Sequence, residues 1–238
     1  MKTSALYLAV LALVFASCRK EEQEKPKVIY DSAKSKPATA PVPDTTRIEV
    51  ADLPIQITGT EYMVHPIGDL RVMDGARSGS RSYEDISYNI SNYSEFEITG
   101  YLRNLKFQKQ GSDSLTVLTD TPVMIQSATY LGGIAERIRQ QLFVYTLCDM
   151  DTNKDGRLDQ SDIKSLYISR IGGEGFMKVS ADMQELVDWK IIPANGRLYF
   201  RTIEDSNKNG EFDKEDELHY NYVDLSGKEW KAVSYSPI

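Results

Sequence analysis

Short strand-like runs of apolar residues recur between turn signals beyond residue 47, and in those around residues 205–216 polar and apolar positions alternate with a period of two, the spacing of strands with one wet and one dry face. Short runs of this kind predict strands over Pro54–Ile57, Glu61–Val64, Ser87–Ile90, Glu95–Leu102, Leu105–Gln108, Leu115–Leu118 and Val123–Ala128. Four further runs, β-branched and aromatic, predict strands over Leu142–Cys148, Lys164–Arg170, Arg197–Ile203 and His219–Leu225. Turns at Gly111-Ser-Asp-Ser, Gly172-Gly-Glu-Gly and Ala194-Asn-Gly punctuate them. A helical period is confined to Ile134–Gln141, too short to dominate. The expected fold class is all-β, built from antiparallel sheets.

Two stretches break the alternation in the same way. Residues 151–162 and 205–216 each place side-chain oxygen at positions 1, 3, 5, 9 and 12, with glycine at position 6. A hard divalent cation takes about six to eight oxygen ligands, and a chain wraps one by offering oxygen at alternate positions and turning sharply midway. Gly156 and Gly210 supply the turn. The first loop offers Asp151, Asn153, Asp155, the backbone carbonyl of Arg157, Asp159 and Asp162. The second offers Asp205, Asn207, Asn209, the carbonyl of Glu211, Asp213 and Asp216. Acidic turns without metal have a related composition, because Asp, Asn and Gly tolerate left-handed backbone.

Both loops resemble the EF-hand calcium loop, including the apolar residue at position 8, Leu158 or Phe212. Both depart from it at position 12, where Asp162 and Asp216 replace the usual glutamate, as in dockerin-type loops. The resemblance implies two calcium sites. The 205–216 site, with one carboxylate fewer, is expected to be the weaker. The flanking runs read as strands, which places the loops at hairpin tips and makes calcium structural rather than regulatory, since an EF-hand switch needs helices on both sides. Helices after Asp162 and Asp216 would instead favour a dockerin-like module.

The N-terminus carries a different signal. Met1-Lys-Thr-Ser is a short basic segment, Ala5 to Phe15 is an apolar run too short to span a bilayer, and Phe15-Ala-Ser-Cys18 ends it. This resembles a bacterial lipoprotein signal peptide over residues 1–17. The resemblance implies cleavage before Cys18 and lipid on that cysteine. Residues 18–46 are charged and proline-rich and read as a disordered tether. Lys20-Glu21-Glu22 resembles the surface-export signal of lipoproteins from the Bacteroidetes, and Asp31-Ser-Ala33 and Asp44-Thr-Thr46 resemble their short O-glycosylation sequon. The implied location is the bacterial cell envelope, as an outer-membrane lipoprotein at or near the surface. With Cys18 lipidated, Cys148 has no disulfide partner and reads as a small buried hydrophobe.

Residues 47–238 are long enough for one domain with its own core. The formal charge of the whole chain is −7, and removing the single lysine of residues 1–17 makes it −8, which argues against nucleic acid as a partner. His65 and His219 read as structural, and Trp189 and Trp230 as core residues. No catalytic constellation stands out. The expected function is therefore a calcium-binding, lipid-anchored binding or scaffolding module with an unidentified protein or glycan ligand. The alternative is an envelope hydrolase acting on glycans or peptides through a carboxylate pair.

The two strand–loop–strand units repeat with 54 residues between loop starts. The stretch from Leu166 through Val187-Asp-Trp189, Leu198-Tyr-Phe200 and Asp224-Leu-Ser-Gly227 resembles the TolB-like propeller repeat. That resemblance implies propeller-like, partial or open sheets with the calcium loops at hairpin tips. A β-sandwich is the alternative architecture.

Overall fold

The computed structural model describes residues 25–30, 47–71 and 89–238. Cys18, the signal peptide, Lys20-Glu21-Glu22 and both short sequons lie outside these residues, as do Ser87 and Tyr88 of one expected strand. The strands are β1 (Arg47–Ala51), β2 (Ile55–Gln56), β3 (Tyr62–Arg71), β4 (Ser91–Ser94), β5 (Glu97–Lys109), β6 (Leu115–Val117) and β7 (Met124–Tyr130). After them come β8 (Leu142–Cys148), β9 (Lys164–Arg170), β10 (Met177–Lys178), β11 (Gln184–Ile192), β12 (Arg197–Glu204), β13 (Glu217–Asp224) and β14 (Ala232–Ser234). One helical turn, α1 (Ala135–Ile138), falls inside the expected helix and is shorter than it. The protein is all-β.

Every pairing among the described strands is antiparallel. A ten-stranded sheet runs β1-β3-β5-β7-β8-β9-β10, with β2 on β3 and with β4 and β6 on β5. A four-stranded sheet runs β11-β12-β13-β14. The described strands close no ring. The two strand–loop–strand units belong to different sheets: β8 and β9 to the larger, β12 and β13 to the smaller.

One core cluster takes Val64, Leu105, Phe107, Ile125, Phe143 and Tyr145 from strands of the larger sheet alone, so that sheet curls around its own side chains. A second cluster sets Leu142, Val144, Leu166 and Ile168 of the larger sheet against Leu186, Leu198, Phe200 and Val223 of the smaller. β8 serves both. Leu142 and Val144 face one cluster and Phe143 and Tyr145 the other, all fully buried, which is why Leu-Phe-Val-Tyr-Thr-Leu-Cys shows no polar alternation.

Two departures from the sequence reading have local causes. The expected strands Glu95–Leu102 and Leu105–Gln108 are one long strand, β5, because Arg103 is an extra residue: Ile67 lies opposite Asn104 and Gly68 opposite Leu102. This bulge lets Leu102 and Leu105, three apart, both point into the core. β11 was hidden because a register shift between Leu186 and Asp188 breaks its period of two. Of the strand expected over Ser87–Ile90, only Asn89 and Ile90 are described, and they lie just before β4 rather than in a strand.

An ion pair between a buried carboxylate and a half-buried lysine ties the sheets together. Glu185 on β11 accepts from the Lys164 backbone N–H and pairs with its Nζ, both at 2.7 Å. Burial raises the Glu185 carboxyl above its ordinary range, and Lys164 only partly offsets this. Its ionised form therefore costs stability above the unfolded pKa, and the cost is relieved as pH falls through the folded pKa. Urea unfolding as a function of pH should show the wild type gaining stability relative to Glu185→Gln between about pH 7 and pH 4. Leu142→Ala and Phe143→Ala open cavities in different clusters. Each should cost about 2–5 kcal/mol and leave a single transition by near- and far-UV circular dichroism; two separated transitions would show that the sheets melt independently.

Candidate cation-binding loops

The loop of residues 151–162 joins β8 to β9, and that of 205–216 joins β12 to β13. Their flanking strands pair up to Cys148 opposite Lys164 and Glu204 opposite Glu217, so both loops are hairpin tips. No helix follows Asp162 or Asp216, and the dockerin-like arrangement is not the one present.

Like charges crowd each loop, and backbone amides hold them in place. In the first loop Asp151 accepts from the amides of Asp155 (3.2 Å) and Gly156 (2.9 Å), Asn153 from Asp155 (2.9 Å), and Asp155 from Arg157 (2.8 Å). Asp159 accepts from Ser161 at 2.9 Å. Asp162 closes the loop by accepting from Thr152 (2.8 Å), Asn153 (3.3 Å) and Asp159 (3.0 Å). The second loop repeats the scheme. Asp205 accepts from Asn209 (3.1 Å) and Gly210 (2.7 Å), Asn207 from Asn209 (2.9 Å), and Asn209 from Glu211 (2.8 Å). Asp213 accepts from Glu215 (2.8 Å), and Asp216 from Ser206 (3.1 Å) and Asp213 (2.9 Å). The backbone matches too, with φ of 57° and 58° at Lys154 and Lys208 and of 81° and 86° at Gly156 and Gly210.

The candidate ligands of both loops offer oxygen alone, the donor a hard cation selects. Among the described residues, no three His, Cys, Asp or Glu side chains converge into a ready-made metal cage. The carboxylates lie along the turns on backbone amides. A bound ion would draw in the oxygens that these amides leave free. Asp162 is fully buried, and burial pushes its carboxyl above the ordinary range despite the three amides that favour its charged form. A buried carboxylate beside Asp151 is a place where positive charge is stabilising.

Sequence reading missed three parts of this region. Asp149, just before the first loop, accepts from Ser165 Oγ (2.9 Å) and Tyr167 Oη (2.8 Å) and pairs with Lys178 (3.0 Å). Burial raises its pKa, but Lys178 and these hydrogen bonds outweigh it and hold the group low. Thr152, buried at position 2, donates Oγ1 to the Lys27 carbonyl at 2.9 Å and accepts from the Ile163 amide at 3.1 Å. Residues 25–30, expected to be part of a disordered tether, lie extended across both loops. The apolar triplet Val28-Ile29-Tyr30 in a polar stretch was the signal available for this.

Cys148 is buried, donates Sγ to the Asp162 carbonyl at 3.6 Å, and has its thiol pKa pushed up by burial, as a structural cysteine should. His65 pairs with Gln108 (2.9 Å) and His219 with Glu204 (3.0 Å). Trp230 is buried in the second core cluster, and Trp189 packs against it half-buried. The outward face of β12 and β13 carries Tyr199, Tyr220 and Tyr222, with Tyr235 beyond β14 packed among them at ring distances of 5.5–6.1 Å. The Arg197 guanidinium lies 4.2 Å over the Tyr222 ring.

No family model and no curated protein matches this chain. A solved structure described as "putative TolB from Agrobacterium tumefaciens" aligns over 78% of this chain and 80% of its own length, at 10% identity and a TM-score of 0.23. A score that low leaves the architecture resting on the chain's own strand pairings. No helix among the described residues is long and apolar enough to cross a membrane.

Asp162→Ala strands the amides of Thr152, Asn153 and Asp159, and should cost about 1–3 kcal/mol in chelator as well as in calcium, measured by urea unfolding. Asp155→Ala gives up one exposed backbone amide and a long contact with the Asn153 side chain, and should change little in chelator.

Proposed function

We propose that the chain is a lipid-anchored binding or scaffolding module of the bacterial cell envelope, whose two hairpin-tip loops are held by calcium as a structural ion. The observation that carries the calcium reading is that two loops 54 residues apart, in different sheets, share one scheme of inner carboxylate and amide oxygens bonded to the same backbone positions. Strands rather than helices flank them, so ion binding tightens a turn and opens no groove. The first loop, with four carboxylates to the second's three, is the stronger site. The outward tyrosine face is the surface with binding chemistry, flat rings and an arginine over a rigid sheet. Lipid on Cys18, reached through residues 19–46, supplies the attachment, and the Lys20-Glu21-Glu22 signal points to the outer membrane.

Extracellular calcium modules bind at about 10⁻⁴–10⁻³ M, so millimolar calcium adds on the order of 1 kcal/mol per site. Thermal unfolding should shift up by about 3–6 °C in calcium, and much less in magnesium. Asp155→Ala should lose a large part of that shift. Equal melting temperatures in calcium and chelator would return the loops to acidic turns. Separately, Cys18→Ser should move the protein out of the membrane fraction; unchanged partition would place the anchor elsewhere.

A further inference from the structure

The segment Lys25–Tyr30 lies between the loops as a strand lies between two neighbours, its amides alternating from side to side. Lys27 donates to the Ser161 carbonyl at 3.1 Å and Ile29 to Thr152 at 2.8 Å, both in the first loop. Val28, between them, donates to the Gly210 carbonyl at 3.0 Å, in the second. The Val28 side chain is only 3% exposed, whereas Ile29 is 52% exposed. The floor is cut to fit: a Cβ on Gly210 would lie 2.5 Å from the Val28 carbonyl oxygen, while one on Gly156 would meet nothing within 4 Å. The Tyr30 hydroxyl has its pKa pushed up to about 12 by burial and by the neighbouring carboxylates, Asp205 foremost, and Lys27 Nζ lies 3.9 Å from Glu211.

Each partner of the segment is one bond away from a candidate ligand. Thr152, held through its carbonyl and hydroxyl, gives its amide to Asp162; Gly210, held through its carbonyl, gives its amide to Asp205. We infer that the crevice between the loops is a binding site for an extended peptide, that residues 25–30 fill it as a strap, and that strap docking and cation binding strengthen each other. The coupling rests on the calcium reading above; the peptide site does not. Reciprocity follows from linkage, since a strap that orders the loops lowers the cost of ordering them around an ion, and the converse holds equally.

Docking also sets how far the domain stands from its anchor. From Cys18 to β1 at residue 47 the chain spans at most roughly 100 Å, but from Cys18 to Lys27 only roughly 30 Å. Cations that favour the strap would draw the domain toward the membrane.

The test is hydrogen exchange at the Lys27, Val28 and Ile29 amides of the full chain, with and without calcium, beside calcium titrations of wild type and Ile29→Pro. The proline removes one strap donor at an exposed position and suits an extended backbone. Val28→Asp, which puts a charge in the buried pocket, serves as a second variant. Expected are protected strap amides, greater protection in calcium, and calcium affinity lowered at least about fivefold in both variants. Unprotected strap amides in both conditions overturn the peptide site. Calcium uptake with unchanged strap protection and unchanged affinity in the variants overturns the coupling alone. A chain that takes up no calcium overturns the cation reading and the coupling with it, while protected strap amides would still support the peptide site.

Discussion

Burial of β8 on both faces is the constraint on which the rest of the structure depends. Its odd-numbered residues complete the core around which the larger sheet curls, and its even-numbered ones form the floor on which the smaller sheet packs. Such a strand cannot shift register without exposing one cluster or the other. Its pairing with β9 is therefore fixed, and the loop that joins them must close at one geometry. That loop is acidic, so its closure is where electrostatics and packing meet. Asp162 resolves part of the conflict with three backbone amides, and a cation would resolve the remainder.

The second loop solves the same problem in a more exposed setting. β12 and β13 have one buried face, lined by Leu198, Phe200 and Val223, and one that presents tyrosines. Asp216 is half-buried where Asp162 is fully buried, so the second hairpin tip depends less on packing. The extended segment at residues 25–30 compensates by tying it to the first. Two hairpin tips from separate sheets are thereby joined through a piece of chain far from both in sequence.

Much of this was legible in the residues, for reasons that differ by element. The pattern of oxygens and glycine in 151–162 and 205–216 located both loops, because the turn and its amide acceptors are local. The strands that bracket them were legible from β-branched and aromatic runs. β5 and β11 were not read correctly, because a bulge in each shifts the phase of the alternation and conceals continuity. The division into two sheets was invisible: equal strand–loop–strand units suggested equal blades, whereas β8 is buried on two faces and β12 on one. The docked segment was hardest to see, because backbone amides make most of its contacts and carry no side-chain pattern; only the short apolar triplet Val28-Ile29-Tyr30 marks it.

The central claim, that the two loops are paired structural cation sites of unequal strength, is tested most directly by the stoichiometry of calcium binding in an equilibrium titration. Two calcium ions per chain are predicted, the stronger lost in Asp155→Ala and the weaker in Asp213→Ala. A flat titration, or uptake that neither substitution alters, would contradict it.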